Sequence, residues 1–364
     1  MCAAVLICSL AMPRVDPIGR PVEVFASGEH PYTRTPGIAV LPNGRILVVA
    51  ASQESLADES GNKILVKSSG DGGRTWGNGV TLAGNGSESA QSPVIVASGE
   101  KVFVHFAVFP AGTDSYHLDT GFGAKGQKTY VSVSRDGGTT WIPPVETTRA
   151  IRREGVQSVN FGPGRGIVLQ RGHYKGRIVV PMHTRVGGAA ASGAVWSDDG
   201  GNSWQSGATV EAPDGVFPNE SGLAELEDGS LVFNARAAGG IGKRVQAVSG
   251  DGGATWSGFE VKSDLPDSVC HAGILRHRFE GVAQPGVLLL SMPSPAGRID
   301  GLVRVSTDDG RTWPGSFEVA KGYFGYSALA NLENGEVGLV YEYAPRGGSD
   351  PQLGIRFLRL KVSG

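Results

Sequence analysis

Carboxylates are the first side chains to weigh, because positioned Asp and Glu residues carry much of the acid/base chemistry of hydrolases. Five aspartates recur in one setting, S-x-D-x-G-x-[TS]-W: Asp71, Asp136, Asp199, Asp251 and Asp308, each followed at a fixed distance by a tryptophan. Such a carboxylate can accept hydrogen bonds from the N–H groups just after it, and the glycine supplies a positive φ. The pattern is therefore turn chemistry, and the five aspartates are assigned no catalytic role. Other chemistry-bearing types are sparse. The seven histidines are dispersed, and His271 beside Cys270 lacks the ligand spacing of a zinc site, so no metal is expected. GDGGRTW and its relatives are hairpin turns and not strand-to-helix phosphate loops, so no nucleotide cofactor is expected. One Gly/Ser-rich loop, ASQESLADESGNKI, gathers Glu54, Asp58 and Glu59.

The elements that must position these residues follow from the repeat. Each copy is preceded by a short apolar or alternating run (KILVKSS, TYVSVS, GAVWS, RVQAVS, GLVRVS) that reads as a strand, and the copies recur at intervals of about 60 residues. Division of 364 residues by that interval predicts an all-β, six-bladed β-propeller of four-stranded antiparallel blades. The sixth blade lacks the motif and is expected to close by pairing an N-terminal strand with C-terminal ones such as GLVYEY and LGIRFLRL. A second theme, an N-G or D-G turn followed by a strand (PNGRILVVA, EDGSLVFNA, ENGEVGLVYE), supplies further hairpins. Fifty-six glycines, 21 prolines and only 19% charged residues suit many short strands joined by tight turns. A single domain over 15–364 is expected, with 1–14 as the remnant of a signal segment. The apolar opening MCAAVLICSLAMP points to a secreted or periplasmic protein and leaves a cytoplasmic one open. A net charge of −2 with scattered Lys and Arg offers no basic stripe for nucleic acid or an anionic membrane, and no run is long enough for membrane insertion. Three cysteines give no disulfide framework.

The repeated motif resembles the Asp-box of sialidases, and from about Tyr32 onward the chain resembles the bacterial exo-α-sialidase (neuraminidase) family of retaining glycoside hydrolases. That resemblance implies a site. Arg34, in YTRTP, Arg236, in FNARA, and Arg304, in GLVRVSTDDG, resemble the three arginines that bind the substrate carboxylate. A planar guanidinium stays charged at all relevant pH and meets a carboxylate with two donors. Tyr326 resembles the nucleophile, Glu220 its base, Asp58 the acid/base and Glu342 the glutamate that buttresses Arg34. A phenol suits a carbon that already bears a carboxylate, since an anionic Asp or Glu nucleophile would be repelled there; sialidases with a tyrosine nucleophile depart in this way from the two-carboxylate rule.

Gln53 and Ser92 stand where the family commonly has Arg and Asp near one ring hydroxyl, so the implied substrate is a terminal α-linked sialic acid or a related 2-keto-3-deoxy sugar acid, N-acetylated, deaminated or octulosonic. Sialylated or ulosonic-acid-containing glycans are the expected partners. A non-catalytic sugar-binding propeller, an interaction propeller and a transferase variant of the same mechanism stay open.

Overall fold

The computed structural model describes residues 12–56, 61–84, 86–113, 118, 122, 126–186, 189–279, 286–345 and 352–364. Six antiparallel sheets stand around an axis as a six-bladed β-propeller. The innermost strands are Tyr32–Val40, Ser89–Ser98, Val156–Phe161, Phe217–Glu225, Gly273–His277 and Ser327–Asn331. In the sixth blade the N-terminal strand Arg14–Phe25 forms the outer edge and pairs with Gly354–Ser363, Arg14 lying opposite Ser363. The final blade thus takes its strands from both ends of the chain and closes the ring.

Packing of each blade against both neighbours builds the core. Second strands such as Ile46–Gln53 and Val287–Pro293 are buried over their whole length, because each blade packs on both faces against a neighbour. The motif turns join third to fourth strands. In the first, Asp71 Oδ1 accepts the N–H groups of Arg74 and Thr75 at 2.9 Å, Oδ2 accepts the Thr75 hydroxyl at 2.6 Å, and Ser69 Oγ donates to Oδ1 at 2.7 Å. The same hydroxyl-to-Oδ2 bond recurs at Asp136, Asp199, Asp251 and Asp308. These bonds hold the carboxylates ionised, with Asp136 drawn down to about 2 by Thr140 and Ser134. The tryptophans do more than cover their own hairpins. Trp204 meets Phe103 of the preceding blade edge-on at 5.7 Å, Trp76 meets Phe357 at 5.6 Å, and Trp313 is fully buried between the fourth and fifth blades.

One segment departs from simple repetition. After Val156–Phe161 the chain Gly162-Pro163-Gly164-Arg165-Gly166 enters the central shaft, where Gly164–Arg165 pairs in parallel with Val94 and Ile95 of the second blade. A Cβ at Gly162 would collide with the Ser221 carbonyl, and one at Gly37 with the Gly164 carbonyl. Arg165 Nη1 reaches the Leu329 carbonyl at 3.3 Å. The segment therefore touches inner strands on several sides of the axis.

Candidate active site

Each inner strand begins at one end of the shaft, and four of them are bulged near that beginning. The register shifts fall between Arg34 and Gly37, between Gln91 and Val94, between Val156 and Ser158, and between Pro218 and Ser221. A bulge re-aims the side chains around it, and here the bulged residues border a cavity of about 350 Å³. Backbone strain gathers at the same end. Thr35, Ser92, Val269 and Asp300 have φ of 54°, 55°, 54° and 48°, and for β-branched Thr and Val this region is unfavourable. Thr35 is held by its N–H to Glu342 Oε1 at 2.9 Å, and Val269 by its N–H to Asp267 Oδ1 at 3.1 Å.

Tyr326, only 4% exposed, stands at the centre of the charged wall. The guanidinium carbons of Arg34, Arg236 and Arg298 lie 5.7, 5.7 and 5.1 Å from its ring centroid. Arg236 Nη1 donates to Tyr326 Oη at 2.7 Å and lies 3.0 Å from Glu220 Oε2, so one nitrogen ties the phenol to the carboxylate. Burial pushes the Tyr326 phenol well above its ordinary range; Arg236 pulls against this and Glu220 adds to it. Glu342, fully buried, receives the N–H of Thr35 and, through Oε2, that of Tyr326 at 3.2 Å, and lies 3.5 Å from Arg34 Nε. One carboxylate therefore fixes both Arg34 and the Tyr326 backbone. A Cβ at Gly325 would collide with Glu342, which is why glycine precedes the tyrosine.

Of the residues singled out from sequence, Arg34, Gln53, Ser92, Glu220, Arg236 and Tyr326 border this cavity, and Glu342 supports it from behind. Asp58, with Glu59, lies outside the described residues. Arg304 is a correction: it is not at the cavity. Its Nε donates to the Gly315 carbonyl at 3.0 Å and its Nη2 to those of Asp264 and Trp313, which fastens the fifth turn motif. The reason is directional. The third strand Ile299–Ser306 runs from the cavity end toward its motif, so a residue two before Ser306 must sit at the wrong end. Arg298, just before that strand, stands at the cavity end instead, and its Nη2 reaches the Val269 carbonyl at 3.4 Å.

Sequence reasoning also passed over Asn219, whose Oδ1 accepts both Arg236 Nε at 2.8 Å and the Glu220 N–H at 2.7 Å. Behind it Arg244 and Asp267 form a buried pair at 3.2 Å, and Asp267 Oδ2 accepts the Ala237 N–H. This pair steadies the strand end that carries Arg236. Among the described residues no group of three or more His, Cys, Asp or Glu side chains is arranged to hold a metal ion.

A family model described as "BNR repeat-like domain" matches residues 44–339. A protein named "Sialidase" from Micromonospora viridifaciens is 32% identical over 388 residues, covering 98% of this chain and 56% of its own. A "Sialidase" from Bacteroides fragilis (strain YCH46) is 31% identical over 219 residues, covering 57% of this chain and 38% of its own. The chain thus spans little more than half the length of the first relative and less of the second. Among solved structures, "Hadza microbial sialidase Hz136" superposes with a TM-score of 0.82 at 23% identity, over 93% of this chain and 68% of that one, a likeness of fold.

Proposed function

The chain belongs to the BNR repeat-like domain family, and from that premise we propose that it is an exo-glycosidase removing a terminal α-linked sialic acid or related 2-keto-3-deoxy sugar acid from glycans by a retaining mechanism. One observation carries the reading: three guanidiniums surround a single buried tyrosine whose hydroxyl shares an Arg236 nitrogen with Glu220. An arginine cluster of this kind is suited to a carboxylate, and a tyrosine beside it to a carbon bearing that carboxylate.

In the proposed reaction Arg34, Arg236 and Arg298 hold the carboxylate. Glu220 takes the phenolic proton, and Tyr326 Oη bonds to the anomeric carbon as the bond to the leaving oxygen breaks. Asp58 protonates that oxygen, then removes a proton from the water that cleaves the glycosyl-tyrosine, returning the phenol's proton from Glu220. Because burial holds the phenol above its usual range, the base is indispensable.

The test is trapping with a 3-fluoro sugar acid bearing a good leaving group, followed by peptide mass spectrometry. One sugar on the peptide containing Tyr326 is expected, together with first release of the α-anomer by NMR. An adduct on a carboxylate, or first release of the β-anomer, overturns the mechanism.

A further inference from the structure

Two of the three arginines share an acceptor that is itself under strain. The carbonyl of Val269 receives Arg236 Nη1 at 3.2 Å and Arg298 Nη2 at 3.4 Å. Arg236 lies in Leu231–Ala238 of the fourth blade and Arg298 just before Ile299–Ser306 of the fifth, so one backbone oxygen bridges the blades and ties two guanidiniums together. Val269 has φ of 54°, unfavourable for a β-branched residue, and its side chain, 45% exposed, has little packing to keep it there. Hydrogen bonds from beneath do so instead. Asp267 Oδ1 accepts the Val269 N–H at 3.1 Å, and Arg244 Nη1 donates to the Cys270 carbonyl at 2.9 Å and to Asp267 Oδ1 at 3.2 Å. The same two side chains also grip the strand that carries Arg236. Asp267 Oδ2 accepts the Ala237 N–H at 3.1 Å, and Arg244 Nε donates to Asn234 Oδ1 at 2.6 Å.

Neither Asp267 nor Arg244 borders the cavity, and both side chains are wholly buried. Taking two charges out of water is costly, and an apolar pair of similar volume commonly serves a fold as well, so a buried ion pair is weak evidence of a stabilising role. What this pair fixes is direction: its bonds end on either side of Arg236 and on either side of the shared carbonyl. We propose that Asp267, held by Arg244, is a positioning residue for the reaction. It keeps Val269 in its strained conformation, and the Val269 carbonyl in turn keeps Arg236 and Arg298 at the spacing from which both reach one carboxylate. Without that hold Val269 relaxes to negative φ, its carbonyl turns away, and both guanidiniums lose a common fixed point. The inference rests on the sugar-acid reading above and deepens it.

The experiment is calorimetric binding at pH 7 of the 2,3-didehydro forms of the N-acetylated, deaminated and octulosonic acids, the tightest of them compared with its uncharged carboxamide. The wild type should prefer the acid by about tenfold or more, as charge-assisted hydrogen bonds require. Asp267→Asn, near-isosteric, removes one of the two acceptors and should cut that preference several-fold by weakening the acid, with the carboxamide little changed. Val269→Pro forbids the positive φ and deletes the N–H at an exposed position, and should do the same. Asp136→Ala, in a turn motif at the far end of its blade, is the control: it should lower the thermal midpoint and leave the preference as it was. Thermal unfolding establishes that each variant is folded, and the exposure of Val269 secures one variant should Asp267→Asn unfold. An acid preference unchanged in Val269→Pro, or in folded Asp267→Asn, overturns the positioning role and leaves the sugar-acid reading in place. A wild type that binds none of the three acids, or binds acid and carboxamide alike, removes that reading, and this inference with it.

Discussion

The five turn motifs and the axial cavity use the same residue types to opposite ends. In the motifs each aspartate accepts at least one backbone N–H and one hydroxyl, and the two glycines that follow Asp71, Asp136, Asp199 and Asp251 take the positive φ. In the cavity, positive φ falls on Thr35 and Ser92, the buried amide oxygens of Gln53 and Asn160 have no donor among the described residues, and three arginines face one tyrosine. The saturated carboxylates of the motifs stabilise the fold, although the buried indole N–H groups of Trp76, Trp141, Trp204 and Trp256 lack partners among the described residues, whereas strained backbone at the cavity lowers stability. Stability and function are therefore separable by position in this molecule, and substitutions at the two places should show it.

The largest effect is expected at Tyr326. Tyr326→Phe should lower kcat by roughly 10³-fold or more, as loss of a nucleophile does, with little change in thermal midpoint, because only a hydroxyl is removed. An equal loss of midpoint and rate would merge the two regions. Next comes Trp313→Ala, which empties a fully buried site between blades and should cost about 3–5 kcal/mol by denaturant titration, with kcat retained in the folded fraction. Asp136→Ala should behave alike in kind, lowering the midpoint and sparing turnover.

A sharper pair is Arg298→Ala against Arg304→Ala. Loss of a charge-assisted contact at Arg298 should reduce kcat/KM by about 1.5–3 kcal/mol, while Arg304→Ala should lower the midpoint and leave kcat/KM unchanged in the folded protein. The reverse pattern would restore Arg304 to the site.

The smallest effect is in pH dependence. His105 is fully buried, both ring nitrogens without a partner among the described residues, edge-on to Trp204 at 4.2 Å, and burial pushes it down to about 3. Burial lowers His271 as well, and His183 is about 3. A histidine depressed on folding binds its proton more readily when unfolded. The stability it confers is complete above pH about 6.5 and falls as pH drops from there toward 3. The motif aspartates act in a lower window. Asp136 confers stability above its ordinary carboxylate range and loses it as pH falls toward 2. Urea titrations across pH 7 to 2 should therefore show two successive losses, and His105→Leu, if folded, should flatten only the first.

The repeat made the fold legible: five motif copies at a near-constant interval can only be serial blades, and the closure from both chain ends follows from the sixth lacking a motif. The site was legible where a residue sits inside a recognisable strand, as Arg34 and Arg236 do. Arg298 was not, because it precedes its strand in the loop SPAGRID, and reading it required the direction of the third strand relative to its motif. Asn219 was hidden for another reason. Its contacts come from a bulge that sets its side chain between Arg236 and the Glu220 backbone without leaving a local pattern. The shaft segment shared this fate, since its glycines answer to other strands' carbonyls.

That segment, Gly162 to Gly166, also decides traffic. With Gly164 beside His271 and Arg165 fastened to Leu329, the shaft is stoppered beneath the tyrosine. Arg165 and Gly166 line cavities on its other side, so the segment stands as a partition between those and the chamber that holds the tyrosine.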